Sequence, residues 1–200
     1  MGKGELTRQL ILDRAVRVAS TLGLDGLTIG KLADQLNLSK SGLFAHFHSK
    51  EGLQIEVLKR ASVHFTEAVI KPALKAPRGR ERVEALFDRW MSWGADAVMP
   101  GGCIFITAAV ELDDRPGPAR DYLVEVQREW FKTRAQVVRT AVEQGHFRAD
   151  TDCDQFSHDL YGIMLGYHYA ARLLEDPRAR ERAWSAFRAL TRTAEKGANS

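Results

Sequence analysis

Residues 27–53 read LTIGKLADQLNLSKSGLFAHFHSKEGL, and the fold turns on how that stretch divides. Thr28 is a good N-cap, and Ile29, Leu32, Ala33 and Leu36 follow it at i, i+3, i+4 and i+7, the stripe of a short amphipathic helix. Asn37-Leu38 breaks that helix. Ser39 then caps a second one, Lys40 to about Phe47, in which Leu43 and Phe47 share an inward face while Lys40, Ser41 and Ala45 point elsewhere. Two short helices joined by a tight turn, the second presenting small and basic residues outward, form the layout of a helix-turn-helix that sets its second helix in the major groove. In that layout Lys40 reaches a phosphate or a guanine edge, Ser41 reaches either, and Lys50, near the start of the next helix, meets a phosphate. Thr28 meets one through its hydroxyl and the amides of its helix start, and His46, one turn after Gly42, is placed to donate to a phosphate oxygen. Gly42 costs about 1 kcal/mol relative to Ala in a helix interior. Close approach to DNA would explain its presence; so would packing against a neighbouring helix.

Working outward, Leu6, Leu10, Ile11, Ala15, Val18 and Leu22 recur at steps of three and four and predict a helix stopping near Gly23, followed by an Asp25-Gly26-Leu27 connection. Ser49 opens a long helix to about Lys71-Pro72. Further helices are expected near Arg80–Val98, Cys103–Asp113, Ala119–Gln144, Asp154–Glu175 and Arg178–Lys196, separated by proline- and glycine-bearing connections. No period-2 run flanked by hairpin turns occurs. The expected fold class is all-α with about nine helices: a three-helix helix-turn-helix domain over residues 6–66, its motif at about 28–47, then a larger helical bundle over residues 78–196.

Charge and aromatic content divide along the same line. Of 29 Lys+Arg and 26 Asp+Glu, the first fifty residues hold seven basic and four acidic, leaving the remainder balanced at 22 of each. Of the aromatic residues, only Phe44 and Phe47 precede position 65. A small basic unit precedes a larger, neutral, aromatic-rich one, and a basic unit suits a polyanion.

The stretches Leu27–Ala33, Leu38–Phe47 and Ser49–Leu53 resemble, in order and spacing, the DNA-binding domain of the TetR family of transcriptional repressors. The resemblance covers roughly the first third of the chain. It implies a homodimer on a palindromic double-stranded DNA operator and a helical carboxy-terminal domain that dimerises and holds a small-molecule inducer. It also implies phosphate contacts from His46 and Lys50. Position 44 departs from the pattern: the family often has a Tyr there whose hydroxyl meets a phosphate, and Phe44 lacks that hydroxyl. The run Pro100-Gly101-Gly102-Cys103-Ile104-Phe105, with Glu111 and Pro116–Arg120 after it, is also similar to a pattern in one subgroup of the family.

In the second domain Phe87, Trp90, Met91 and Trp93 fall within seven residues of one helix. Aromatic residues at helical spacing are usually core. Their density suggests more: Trp90 and Trp93 with Phe65, Phe105, Trp130, Tyr161, Met164 and His168 would line an apolar cavity, with Glu111, Tyr161 and His168 as its polar groups. The expected inducer is therefore small and largely apolar or aromatic. Leu165, Ala171, Trp184, Phe187 and Leu190, on the last two helices, are assigned to a two-fold dimer interface, an internal hairpin being the alternative.

Cys103, at a predicted helix start, has two readings: a thiol tuned by the helix dipole for redox or electrophile sensing, or a small buried apolar residue beside Ile104 and Phe105. Cys153 sits in a polar stretch without a basic neighbour. Two cysteines make no disulfide framework, and no sequence cluster has metal-ligand spacing. No phosphate-binding glycine loop or nucleophile elbow occurs, so neither cofactor, metal nor enzymatic activity is expected. The longest mostly apolar stretch, 15 residues from Leu160 to Leu174, carries His168 and Arg172, and Lys3, Glu5, Arg8 and Asp13 fall where the pattern of a charged start plus apolar core would need a continuous apolar run. A cytoplasmic protein without a membrane partner is expected. The rival class, a helical small-molecule-binding protein without specific DNA binding, leaves the basic amino-terminal unit unexplained.

Overall fold

The computed structural model describes residues 3–94 and 98–195, with side chains from Thr7 onward. Among these residues the chain forms ten α-helical segments and one π turn, and the only extended pairing is an isolated bridge between Phe147 and Glu195. The segments are α1 (Lys3–Gly26), α2 (Ile29–Leu36), α3 (Lys40–Phe47), α4 (Lys50–Phe65), α5 (Lys71–Lys75), α6 (Arg80–Trp93), α7 (Ile104–Leu112), α8 (Pro118–Glu143), α9 (Cys153–Arg172) and α10 (Ala179–Ala194). A π turn, Thr66–Ile70, joins α4 to α5, so the described residues contain nine contiguous helical runs, the first of them kinked at Gly23.

The expected boundaries shift in three places. The helix passes Pro72 and ends at Lys75: the π turn changes the hydrogen-bond register just before it, so Pro72 falls in the first turn of α5, where a missing N–H costs little. The expected Arg80–Val98 helix stops at Trp93, before Gly94; its residues 95–97 lie outside the described residues, as does Lys196, the expected end of the last helix. Cys153 is the first residue of α9, not part of a loop, because Asp152 caps that helix by accepting from the Asp154 and Gln155 amides at 3.0 and 2.9 Å.

The chain gathers into two compact units, Met1–Phe65 with Gly94–Gln127 and Thr66–Trp93 with Arg128–Ser200. The sequence divides only once, near residues 66–78, whereas the structure returns the segment 94–127 to the amino-terminal helices. In the first unit α1 buries Ile11, Leu12, Ala15, Val16 and Ala19 with Leu53, Val57, Leu58 and Ala61 of α4. Each of the Ile, Leu and Val side chains contributes roughly 1.5–3 kcal/mol on leaving water, and the alanines less. Asp13 ties the same two helices together, accepting from Arg60 Nε and Nη2 at 2.6 and 2.9 Å and lying 2.7 Å from His64 Nε2. Burial pushes the Asp13 carboxyl up, but the Arg60 and His64 hydrogen bonds outweigh it and hold the group below the usual range.

Two glycines make the return of the 94–127 segment possible. Gly23 adopts φ +73°, kinking α1 near its end, and a Cβ there would sit 1.8 Å from Glu111 Oε1. A Cβ on Gly101 would sit 1.7 Å from the Ser20 carbonyl oxygen, and its amide donates to Ser20 Oγ at 3.1 Å.

In the second unit α9 and α10 pair, and Phe87 of α6 stacks on Phe187 at 4.4 Å with an interplanar angle of 4°, with Trp184 edge-on at 5.0 Å. Phe147 packs on Phe156 at 5.5 Å, and Val83, Leu86, Met91, Leu160 and Met164 are buried.

Candidate nucleic-acid interface and effector region

The helix-turn-helix is assembled by its own side chains. Thr28 Oγ1 accepts from the Lys31 amide at 3.1 Å and starts α2. Asn37 ends α2 in the left-handed conformation, φ 51°, its amide returning to the Ala33 and Asp34 carbonyls. Ser39 Oγ accepts from the Gly42 amide at 3.1 Å and starts α3. Leu43 and Phe47 are buried, which turns Lys40, Ser41, Gly42, Phe44, Ala45 and His46 to solvent. A Cβ on Gly42 would lie 2.9 Å from Ser39 Oγ, so within the chain the residue accommodates the capping side chain rather than a neighbouring helix.

Phe44 is 54% exposed. An inward packing role is therefore not what the fold gives it; its ring stands beside Lys40 and Ser41 on the exposed face, where an aromatic ring can meet a sugar or a thymine methyl. His46 is exposed and tilted at 52° to Phe47, 6.1 Å away.

Lys50 has a partner already. Its Nζ donates to the Asp25 carbonyl at 3.0 Å and pairs with Asp25 Oδ1 at 3.4 Å, while Arg115 pairs with Asp25 Oδ2. The Arg115 hydrogen bond, with Lys50 adding to it, holds the Asp25 carboxyl below its ordinary value. Glu111 Oε2 accepts from the Leu24 and Asp25 amides at 2.7 and 3.4 Å, and Gln54 Nε2 donates to the Leu24 carbonyl at 3.1 Å. The Glu111 carboxylate thus satisfies amides at the kinked end of α1. Asp25, Lys50, Glu51, Gln54, Arg115 and Arg120 are among the residues around an open cleft of about 280 Å³ in which both charge signs alternate.

The residues expected to line a cavity fall into two sets. In the first unit Phe65 meets Phe105 edge-on at 5.9 Å, and Gln127 Nε2 donates to the Phe105 carbonyl at 3.4 Å. Cys103 is the N-cap of α7 and 4% exposed, in keeping with the small apolar reading. Burial pushes the Cys153 thiol up, against reactivity.

In the second unit Trp90 lies edge-on to Tyr167 at 6.3 Å, and Trp93 and Met164 are buried. His168 is half-buried, and burial, with Arg172 adding to it, pushes its imidazole below the ordinary value. Trp130 and Tyr161 come together around a residue the sequence reading did not single out: the Arg134 guanidinium carbon lies 4.9 Å from the Trp130 ring centroid and 4.4 Å from that of Tyr161. A cation four residues after Trp130, on the same helical face as Val137, Val138 and Ala141, is the signal that was available.

Of the expected interface residues, Leu165 is exposed and Ala171 and Leu190 are half-buried. Phe187 is a correction. It is 3% exposed because it stacks on Phe87 of its own chain, and Trp184 also packs there. Among the described residues no group of three or more His, Cys, Asp or Glu side chains is arranged to hold a metal, and no helix is long and apolar enough to cross a membrane.

Residues 11–57 match the description "Bacterial regulatory proteins, tetR family", and residues 79–187, more than half of the chain, match "Tetracyclin repressor-like, C-terminal domain". A TetR transcriptional regulator from Chloroflexus aurantiacus is similar over 96% of this chain and 95% of its own, at 26% identity and a TM-score of 0.85. A transcriptional regulator from Saccharomonospora viridis, solved in complex with choline, is similar over 97% and 100%, at 21% identity and a TM-score of 0.81. AibR, solved with isovaleryl coenzyme A and operator DNA, is similar over 88% and 94%, at 19% identity and a TM-score of 0.70. No curated protein sequence matches the chain. With its helix-turn-helix and its carboxy-terminal domain both matched, the chain belongs to the TetR family of transcriptional regulators.

Proposed function

We propose that this regulator is a repressor that binds a palindromic operator as a homodimer and is released by a small, largely apolar effector held among the aromatic residues of the second unit. The observation that carries the DNA reading is the exposed face of α3. Lys40, Ser41 and Phe44 project together from a helix whose inward side is anchored by Leu43 and Phe47, with His46 exposed on the other flank of that anchor, an arrangement suited to a major groove. Thr28 and Lys50 take phosphates at its margins, and Gly42 lets the backbone approach. Lys50 exchanges its Asp25 contacts for a phosphate on binding.

Two readers on one palindrome require two copies. Leu165 and Tyr169 of α9 and Leu173 at its C-cap recur at steps of four and are exposed, with Leu174 beside them. A second copy covers this row, together with Ala171 and Leu190. The complexes of AibR and of the Saccharomonospora viridis regulator support an effector reading for this fold. Trp90, Trp93, Trp130, Tyr161, Met164 and His168 are the proposed effector contacts, while Phe65 and Phe105 pack on each other in the first unit. The protein acts in the cytoplasm without catalysing a reaction. For an effector to regulate, it binds the DNA-free state more tightly; coupling of about 1–3 kcal/mol, roughly 5–150-fold in operator affinity, is the usual range.

Selection of sheared genomic DNA by the purified protein at about 0.15 M salt tests this reading, because that ionic strength suppresses weak electrostatic binding. Recovery of a short palindrome bound by a dimer is the expected result. Folded, effector-free protein that selects no sequence would overturn it.

A further inference from the structure

The second unit contains a cation for which the fold supplies no counter-charge. Arg134 projects from α8 and is 2% exposed. Three rings wall its guanidinium: Tyr161 at 4.4 Å, Trp130 at 4.9 Å and Phe131 at 5.6 Å from ring centroid to the central carbon. Its Nε donates to the Ser157 carbonyl at 3.4 Å, close to the limit of a hydrogen bond, and its buried Nη1 meets no acceptor. Among the described residues no carboxylate pairs with it. Burial pushes the guanidinium down to about 10, with only Tyr161 opposing, and at neutral pH it stays charged.

Ring faces attract a cation, but they do not accept the directed N–H donors of a guanidinium. A buried charge without a partner is among the costlier arrangements in a protein, and an apolar side chain of similar volume at that position is often neutral or stabilising. The arrangement becomes favourable once an anion arrives. A guanidinium presents a planar fork that matches a carboxylate with two parallel hydrogen bonds, and desolvation strengthens such a pair. The surroundings describe the rest of the ligand: Trp130, Phe131 and Tyr161 are aromatic, and Met164 and His168 continue the Tyr161 face of α9 one and two turns further on. A hydrocarbon or aromatic body suits these walls; a compact, strongly hydrated anion does not.

We infer that Arg134 anchors the carboxylate of an apolar or aromatic organic acid, received between α8 and α9 against Trp130 and Tyr161. The inference rests on the reading that the second unit holds the effector, and it narrows that effector to one chemical class. On this assignment the ligand supplies the negative charge that no Asp or Glu among the described residues brings to Arg134.

Calorimetric titration of the full-length protein with phenylacetate, benzoate and octanoate, each beside its neutral primary amide, and with inorganic phosphate, tests the assignment. At least one carboxylate is expected to bind about tenfold or more tightly than its amide, with phosphate weaker than the carboxylates. In Arg134→Met that preference disappears, while the ligand-free variant melts at or above the temperature of the parent because the unpaired charge has gone. Arg134→Lys, which keeps the charge, retains the preference for acid over amide at reduced affinity. Equal binding of acid and amide, unchanged carboxylate binding by Arg134→Met, phosphate binding as tight as the carboxylates, a lower melting temperature for Arg134→Met, or no response to any carboxylate would each overturn it. The broader effector reading is judged separately, by whether the small-molecule fraction of a cell extract releases DNA from the parent protein.

Discussion

The face of α3 and the cluster around Arg134 both set a cation beside aromatic rings, and the two are built in opposite ways. On α3, Lys40 stands in solvent one turn before an exposed Phe44, His46 is exposed as well, and the only side chains withdrawn from water are Leu43 and Phe47. Hydration makes the ligand-free surface cheap to maintain, so affinity for a polyanion comes from releasing counterions on contact. Around Arg134 water has already been excluded, with Trp130, Phe131 and Tyr161 in its place. An anion that reaches this guanidinium meets a partially desolvated partner, and the pairing gains from the low dielectric. The first arrangement is general and salt-sensitive; the second is selective for ligand shape and is screened little by salt.

The contrast can be broken by experiment, beginning with the largest effect. Phe87→Ala removes the ring that packs on both Phe187 and Trp184 and is expected to cost about 3–5 kcal/mol of stability, read as a lower midpoint in urea. All four tryptophans, Trp90, Trp93, Trp130 and Trp184, belong to the second unit, so their fluorescence follows that unit alone. A loss below about 1 kcal/mol would mean that the stack is not part of the core.

Next come the α3 contacts. Lys40→Ala or Ser41→Ala should change which base pairs are preferred, at about 1–3 kcal/mol per lost base contact, whereas Lys50→Ala should weaken binding to every sequence and lower the salt slope by about one. Titrations on operator and random DNA at several salt concentrations separate the two. Equal loss on both DNAs for Lys40→Ala would remove it from base reading.

Ser39→Ala deletes the cap of α3 and should reduce stability by about 1 kcal/mol, with a larger fractional loss in DNA affinity than in tryptophan-reported stability. Asp25→Asn removes the charge that holds Lys50, and at low salt a severalfold tighter binding to any DNA is expected. Weaker binding instead would show that Asp25 aims Lys50 at the phosphate rather than competing for it.

The smallest effect is one of pH. The His168 imidazole is pushed down in the folded state, so its stabilising share is complete above the unfolded value near 6.5 and declines as pH falls through the folded one. Asp13 and Asp25 are also held down, but as carboxylates, so their share persists to about pH 4 and is lost below it. Tryptophan-reported stability should therefore decline between neutrality and pH 5, and His168→Gln should flatten that decline.

Legibility from the chain followed the range of the interactions. The caps at Thr28 and Ser39, the stripe Ile29-Leu32-Ala33-Leu36 and the break at Asn37 all act within four residues, and the structure places helices where they indicated. Phe44 was legible as a departure from the family pattern but not in its exposure, because one missing hydroxyl does not say which way a ring faces. Pro72 misled for a similar reason: a proline ends an α-helix in a fixed register, and the π turn before it changes that register.

By itself, then, the sequence determined the all-helical class, the helix-turn-helix and the outward Lys40, Ser41 and Ala45 of α3, since periodicity, capping and composition are local properties. Tertiary structure alone decided the rest. Glu111 meets the Leu24 amide across 87 positions, Phe187 finds Phe87 across a hundred, and Arg134 loses its water only when α8 and α9 pack together. Burial and pairing depend on which surfaces converge, and no window along the chain contains that information.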